Sequence, residues 1–187
     1  MTDRTRALRT ARLDLRDFTP DDVDVLVELD SDPQVMHYIT GGRTTPRTEI
    51  TAEVLPAFLA YTDRADCYGF WAAAERSSGH FVGWFHLRPE EGRPQDEPEL
   101  GYRLRRAAWG KGYGTEGSAA LIDAAFSRWG ARRVFATTMV VNVASQRVME
   151  KAGLRRVRTF TQDWPYRIPG EELGDVEYAV TRDEWAT

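Results

Sequence analysis

The 187-residue sequence predicts an α/β (α+β) protein: one domain spanning 1–187, with a mixed central sheet of about seven strands flanked by helices. Three observations predict it. Helical spacing dominates to about residue 62, strict alternation takes over from Tyr68 to Leu104, and the two then alternate to the C-terminus. The length suits a single domain that buries roughly 70% of its unfolded surface.

Each element has a local cause. "RLDLRDF" (12–18) alternates as a strand, with Leu13 and Leu15 on one face. "TPDDVDVLVEL" opens a helix with Thr19 as N-cap, Pro20 in the first position and two acids in the first turn. "DPQVMHYI" reads as a short second helix, and Thr45-Pro46 starts a third that Pro56 interrupts. "YGFWAAAE" and "HFVGWFHL" form a hairpin through "RSSG"; after an acidic, proline-rich loop (88–99), "ELGYRL" makes a third strand with Leu100, Tyr102 and Leu104 on one face. Ala119, Ile122, Ala125, Phe126 and Trp129 recur at helical spacing. "RRVFATTMV" is a strand, "NVASQRVMEKAGL" a helix capped by Asn142 and closed by Gly153, and "RRVRTFTQ" and "DVEYAVT" complete the sheet.

Composition removes several function classes. A net charge of −4 disfavours nucleic acid and anionic membrane as partners of the whole surface. Cys67 is the single cysteine, so no internal disulfide forms and no zinc cluster can be built on cysteine. No histidine has metal-ligand spacing, so no metal is expected. Neither a signal core in the first 18 residues nor a span of about 18 apolar residues is present, which makes a cytoplasmic location the expectation. Of the 25 basic residues only Lys111 and Lys151 are lysine.

"WGKGYGTEG" (109–117) places four glycines at the entrance of a helix, where unpaired N–H groups suit an anion. A Walker A loop fails because Lys111 precedes Gly112 and position 105 is Arg. Gly112, Gly114 and Gly117 spell G-x-G-x-x-G, but "RRAAWGK" separates the motif from its strand and residues 134–142 contain no acid for a ribose. A dinucleotide-binding protein therefore stays only as an alternative.

"ELGYRLRRAAWGKGYGTEGSAAL" followed by "VNVASQRVMEKAGL" resembles the GNAT superfamily of N-acetyltransferases, in particular the branch of ribosomal-protein N-terminal acetyltransferases. The N-terminal "TARLDLRDFTPDDVDVLVELDSDPQVMHYI" and C-terminal "DVEYAVTRDEW" resemble it too, so the likeness covers nearly the whole chain. It implies a GNAT-like, mostly antiparallel sheet and acetyl-CoA as cosubstrate. Trp109 stands where the superfamily writes Gln or Arg, and Gly112 and Gly114 match. By this resemblance the pyrophosphate lies on the N–H groups of residues 110–115, including Gly110, Lys111, Tyr113 and Thr115, with Gly112 and Gly114 allowing close approach. Lys111, Arg105, Arg106, Arg147 and Lys151 are candidate phosphate cations. Tyr102, Arg103 and Leu104 supply backbone to the pantetheine arm and an N–H to the thioester carbonyl, and Asn142 either contacts the pantetheine amide or only caps its helix.

Amine acetylation needs a base, a polarised carbonyl and a proton for the leaving thiolate. Glu99 is the candidate base, working through water, against the reading of a solvated carboxylate beside Asp96 and Glu97. Ser145 is the candidate donor near the sulfur. His37, Tyr38, Gly41 and Gly42 form the segment that touches the acceptor in this fold, and the acidic 88–99 loop favours a basic acceptor. The expected activity is direct acetyl transfer to a primary amine, either a protein N-terminus or a small molecule, by a monomer or homodimer. The alternative from another class is a CoA-binding module without activity.

Overall fold

The computed structural model describes residues 6–62, 64 and 67–186. The first five residues of the stretch read for a signal core, and Asp63 at the end of the third helical run, lie outside them. The sheet has eight strands rather than seven, in the order β1-β2-β3-β4-β5-β6-β8-β7. They are β1 Leu8–Arg9, β2 Leu13–Asp17, β3 Gly69–Glu75, β4 Phe81–Arg88, β5 Glu99–Leu104, β6 Arg133–Met139, β7 Arg155–Phe160 and β8 Asp175–Thr181. The extra strand, β1, is two residues long and pairs Leu8 with Leu15, too short to show a period of its own. Among the described residues every pairing is antiparallel except β5 with β6.

The helices are α1 Val23–Asp30, α2 His37–Thr40, α3 Arg47–Glu49, α4 Leu55–Leu59, α5 Tyr113–Ser127, α6 Val143–Lys151 and α7 Arg182–Trp185. Thr19 and Pro20 open a 3₁₀ turn, Pro20–Asp22, that leads into α1; the Asp22 carboxylate accepts the Thr19 N–H at 2.8 Å and Arg16 at 2.7 Å. Pro56 has no N–H to donate, and the chain answers with a wide π-type turn, Ile50–Val54, between α3 and α4. The second predicted helix shrinks to the four residues of α2, stopped by Gly41 in the left-handed conformation (φ 70°). No helix among the described residues is long and apolar enough to cross a membrane.

The two faces of the sheet carry two cores. Leu13, Leu15, Phe85, Leu100, Leu104, Val134 and Tyr178 pack with α5 and α6 on one side. Phe18, Leu26, Ile50, Leu55, Phe58 and Trp84 form the smaller core under α1 to α4 on the other. Their separation follows from strand alternation: within β4, Phe85 faces α5 while Trp84 and His86 face the opposite layer.

The seat of α5 is set by a glycine. A Cβ on Gly117 would lie 2.3 Å from the ring of Phe85, which is fully buried. Helix propensity alone favours Ala over Gly at that position by roughly 0.5–1 kcal/mol. The clash reverses the sign. Gly117→Ala is expected to destabilise the protein by about 1–3 kcal/mol, lowering Tm in a thermal melt. A raised Tm would show that α5 is not held against Phe85.

Candidate active site

The site begins where two strands part. β5 pairs with β4 along its whole length, from Arg88↔Glu99 to Gly83↔Leu104, and the Arg105 N–H donates to the Val82 carbonyl at 2.9 Å. Antiparallel alternation then turns the peptide groups of Leu100, Tyr102 and Leu104 away from β4, toward β6. β6 meets β5 at one register pair only, Glu99↔Phe135, where the Phe135 N–H reaches the Pro98 carbonyl at 3.3 Å. Beyond it the strands splay. The Leu104 carbonyl is taken by the Trp109 indole N–H at 2.9 Å, so the peptide of Tyr102 is left facing the gap. An unpaired strand edge inside a sheet is a template for an extended ligand with its own amide groups.

Side chains bridge the gap above this edge. The Tyr102 hydroxyl lies 2.9 Å from Ser145 Oγ, joining β5 to the first turn of α6. Asn142 caps that turn: its Oδ1 accepts the Ser145 N–H at 3.2 Å and its Nδ2 donates to Thr138 Oγ1 at 3.1 Å. Both polar atoms of Asn142 are therefore engaged within the protein, and capping is the role the geometry displays. Burial pushes the Tyr102 phenol up to about 12, only partly opposed by Ser145, so the hydroxyl keeps its proton at every physiological pH. The pair can donate a hydrogen bond to a charge developing in the gap.

Glu99 lies on the other face of β5 and is not the solvated end of an acidic loop. Its side chain is 15% exposed; Oε2 meets Arg88 at 3.0 Å and Oε1 accepts the Thr137 hydroxyl at 3.2 Å. Burial alone would raise its pKa, but His86, Arg88 and Thr137 together hold it below the ordinary glutamate value. His86 sits within β4 with Nε2 3.7 Å from Glu99 Oε2. Its signal in the sequence was Gly101, a strand-interior glycine directly opposite it. Asp96 and Glu97 pair instead with Arg132 and Arg133, and Glu90 with Arg93. Arg93 in turn reaches buried Glu177, which Arg133 and Arg158 also hold, and this cluster brings the Glu177 carboxyl down to about 2 against the effect of burial. Much of the 88–99 loop's acidity is thus neutralised internally, which weakens its case for a basic acceptor.

The glycine loop behaves in two ways. Gly110 (φ 72°) and Gly112 (φ 82°) are left-handed, and a Cβ on Gly110 would meet nothing within 4 Å. Gly112 caps α5, whose first internal bond runs from Glu116 N–H to the Gly112 carbonyl at 3.0 Å, leaving the preceding helical amides without an intrahelical acceptor. Gly114 is buried, and its Cβ would press on Val148 of α6 at 3.3 Å. Helix packing is thus one reason for glycine here, beside the expected clearance for phosphate, and a valine would press on α6. Thr115 is half-buried in the same turn.

The cations sort equally clearly. Arg103 grips Asp30 at 2.6 Å, Arg105 pairs with Glu28, and Arg106 meets Asp32 at 3.2 Å, so all three turn toward α1 and the residues after it. These carboxylates compete with phosphate for Arg105 and Arg106. Lys111, Arg147 and Lys151 are exposed and make no ion pair among the described residues. The open glycine turn, the free strand edge and these cations fit acetyl-CoA: anion donors at one end, amide partners in the middle, uncommitted positive charge outside.

In α2, His37 and Tyr38 form an edge-on ring pair at 4.6 Å. Gly41 ends α2 where a Cβ would strike the Arg167 carbonyl at 2.6 Å, while Gly42 (φ 90°) lies beside Pro33. Arg43 donates to the Tyr166 hydroxyl at 2.5 Å. The segment 37–43 is thus packed against the β7–β8 connection rather than free. No group of three or more potential metal ligands occurs among the described residues.

Comparisons with known proteins agree with this geometry. The family model for the acetyltransferase (GNAT) domain matches residues 12–155. An FsC-acetyl coenzyme A-N(2)-transacetylase from Aspergillus fumigatus is 35% identical over 185 residues, covering 95% of this chain and 77% of that protein. The crystal structure of a GNAT-family acetyltransferase from Bacillus anthracis superposes with a TM-score of 0.80 at 24% identity, over 95% of this chain and 99% of that one. A candidate ribosomal-protein-serine acetyltransferase from Vibrio cholerae gives 0.75 at 22% identity, over 94% and 97%. With its splayed strands, glycine-capped helix and matching family model, the chain belongs to the GNAT acetyltransferases.

Proposed function

We propose that this protein transfers an acetyl group from acetyl-CoA to a primary amine, by direct attack within a ternary complex and without a covalent enzyme intermediate. The observation that carries this is the division of labour across β5. A buried carboxylate, Glu99, lies on one face, and a Tyr102–Ser145 hydroxyl pair lies toward the other, with the unpaired Tyr102 peptide between them. Bound acetyl-CoA supplies the activated acyl group as a thioester. The residues that would hold it are Gly110 to Thr115 with Lys111, Arg147 and Lys151 outside, and the edge of β5 from Tyr102 to Leu104 within.

The chain's own groups divide the remaining work. The Tyr102 N–H, facing the gap, is placed to donate where negative charge develops on a carbonyl oxygen. Glu99, ionised at neutral pH, takes a proton from the incoming ammonium directly or through one water. The Tyr102 and Ser145 hydroxyls stabilise the departing thiolate by hydrogen bonding. The relative named for an N(2) transacetylase and the neighbour named for a ribosomal protein both support an amine nitrogen as acceptor. A small-molecule amine and a protein N-terminus both fit that chemistry.

Glu99→Gln keeps shape but cannot accept a proton. At pH 7, kcat/KM should fall at least roughly tenfold, and the deficit should shrink as pH approaches the amine's own pKa, about 8 for an α-amine or above 10 for lysine. Steady-state kinetics across pH on a panel of peptides and small amines reads this directly; full activity at pH 7 removes Glu99 as the base. Ser145→Ala and Tyr102→Phe should each lower kcat about tenfold with acetyl-CoA affinity unchanged, and the double variant should lose little more than either single one. Fully multiplicative losses would mean the two hydroxyls act independently.

A further inference from the structure

His86 is held in a manner that core packing does not explain. It faces Gly101 across β4 and β5, and a Cβ on Gly101 would lie 2.4 Å from the imidazole. Gly101 has no left-handed φ that would itself demand glycine. A strand-interior glycine weakens a sheet, so the sequence yields β propensity here only to make room for a ring. That ring is stacked on Trp84 at 5.8 Å and met edge-on by Phe70 at 5.3 Å. Both of its nitrogens are buried without a hydrogen-bond partner. Buried polar atoms left unpaired are costly, and a Phe or Leu would fill the same space without that cost.

The acceptor close to this ring is the Glu99 carboxylate, whose Oε2 lies 3.7 Å from Nε2, about 0.7 Å beyond a formed N–H···O bond. The groups facing the pair are few. Arg88 of β4 holds the same Oε2 at 3.0 Å, and Thr137 of β6 donates to Oε1 at 3.2 Å. Arg103 of β5 also acts on the ring and is tied to Asp30 of α1. Farther along β6 and β8, Arg133 and Glu177 pair with each other. Burial pushes the imidazole below its ordinary pKa; Glu99 opposes this, while Arg88 and Arg103 add to it, so the ring is neutral at pH 7 and offers one N–H.

We infer that His86 is a positioning residue for Glu99: a neutral imidazole, seated on the bare backbone of Gly101, that aims Nε2–H at Oε2 and helps keep the carboxylate ionised. With Oε2 covered by His86 and Arg88, the proton leaving the amine nitrogen goes to Oε1, beside the Thr137 hydroxyl. The N–H bond breaks and the O–H bond forms there, with the charge on Arg88 unchanged. This catalytic meaning rests on the reading of Glu99 as the base, but the test below does not.

The test is an NMR titration of the ligand-free protein, following the side-chain carboxyl carbon of Glu99, assigned by its absence in Glu99→Gln, and the ring nitrogens of His86. In the native protein Glu99 should titrate below the ordinary glutamate value of about 4.3, and His86 should be uncharged at pH 7. His86→Leu should raise the Glu99 midpoint by about 1 pH unit or more, and His86→Gln, which restores an N–H donor, should recover most of the shift. Gly101→Ala, which pushes the ring from its seat, should raise the midpoint in the same direction and serves if His86→Leu does not fold. A midpoint within ~0.3 pH unit of native in the folded variant, or a charged imidazole at pH 7, overturns the inference. Full activity of Glu99→Gln would overturn the base assignment instead and leave these midpoints untouched, so the two failures are distinguishable.

Discussion

The parting of β5 and β6 is the constraint on which the rest of the site depends. Two neighbouring parallel strands share one register pair, Glu99↔Phe135, and then diverge within a sheet whose other neighbours pair in antiparallel ladders. Divergence leaves a peptide without a ladder partner in the middle of the molecule, and unpaired backbone inside a sheet persists only where something else satisfies it. The helices respect this gap. α5 enters from its glycine turn on one side, α6 starts at Asn142 on the other, and the Tyr102–Ser145 contact at 2.9 Å spans between them. Gly114 and Gly117 let α5 lie close to Val148 and Phe85.

Charge is distributed so that the site is not flooded by the chain's many arginines. Arg103, Arg105 and Arg106 follow directly from β5 and would crowd the cleft with positive charge, yet Asp30, Glu28 and Asp32 draw them toward α1. Arg93, Arg133 and Arg158 converge on Glu177 at the far side of the sheet. The cations left exposed and unpaired around the glycine turn and α6 include both lysines, Lys111 and Lys151. An ammonium is a compact charge without a preferred planar partner, which suits a phosphate whose position the backbone already sets.

Local physics made much of this legible from the sequence. Thr19-Pro20, Asn142 and Gly153 mark helix ends because caps and left-handed closures depend on single residues, and the strands show because one side of each faces a core. What could not be read were causes lying far along the chain. Arg105 is 77 residues from Glu28, so nothing near it in sequence revealed that its charge was already paired. Gly114 and Gly117 looked alike beside Gly112, but packing on Val148 and Phe85 explains the first two and a left-handed φ the third. Glu99 was readable as a strand-opening acid, whereas its separation from Asp96 and Glu97 depended on where Arg88 and Arg132 stand. β1 escaped because two residues carry no periodicity.

The central claim is that the gap between β5 and β6, entered beside the glycine turn, is where acetyl-CoA lies. Amide hydrogen exchange with and without acetyl-CoA measures this residue by residue, independently of any acceptor. The account predicts slowed exchange at the Tyr102 amide and across residues 110–115, with the amides of β2 and β3 unchanged. Protection confined to the cavity lined by Arg9, Arg12, Asp14, Glu75, Arg76 and Tyr113, with Tyr102 unaffected, would contradict it.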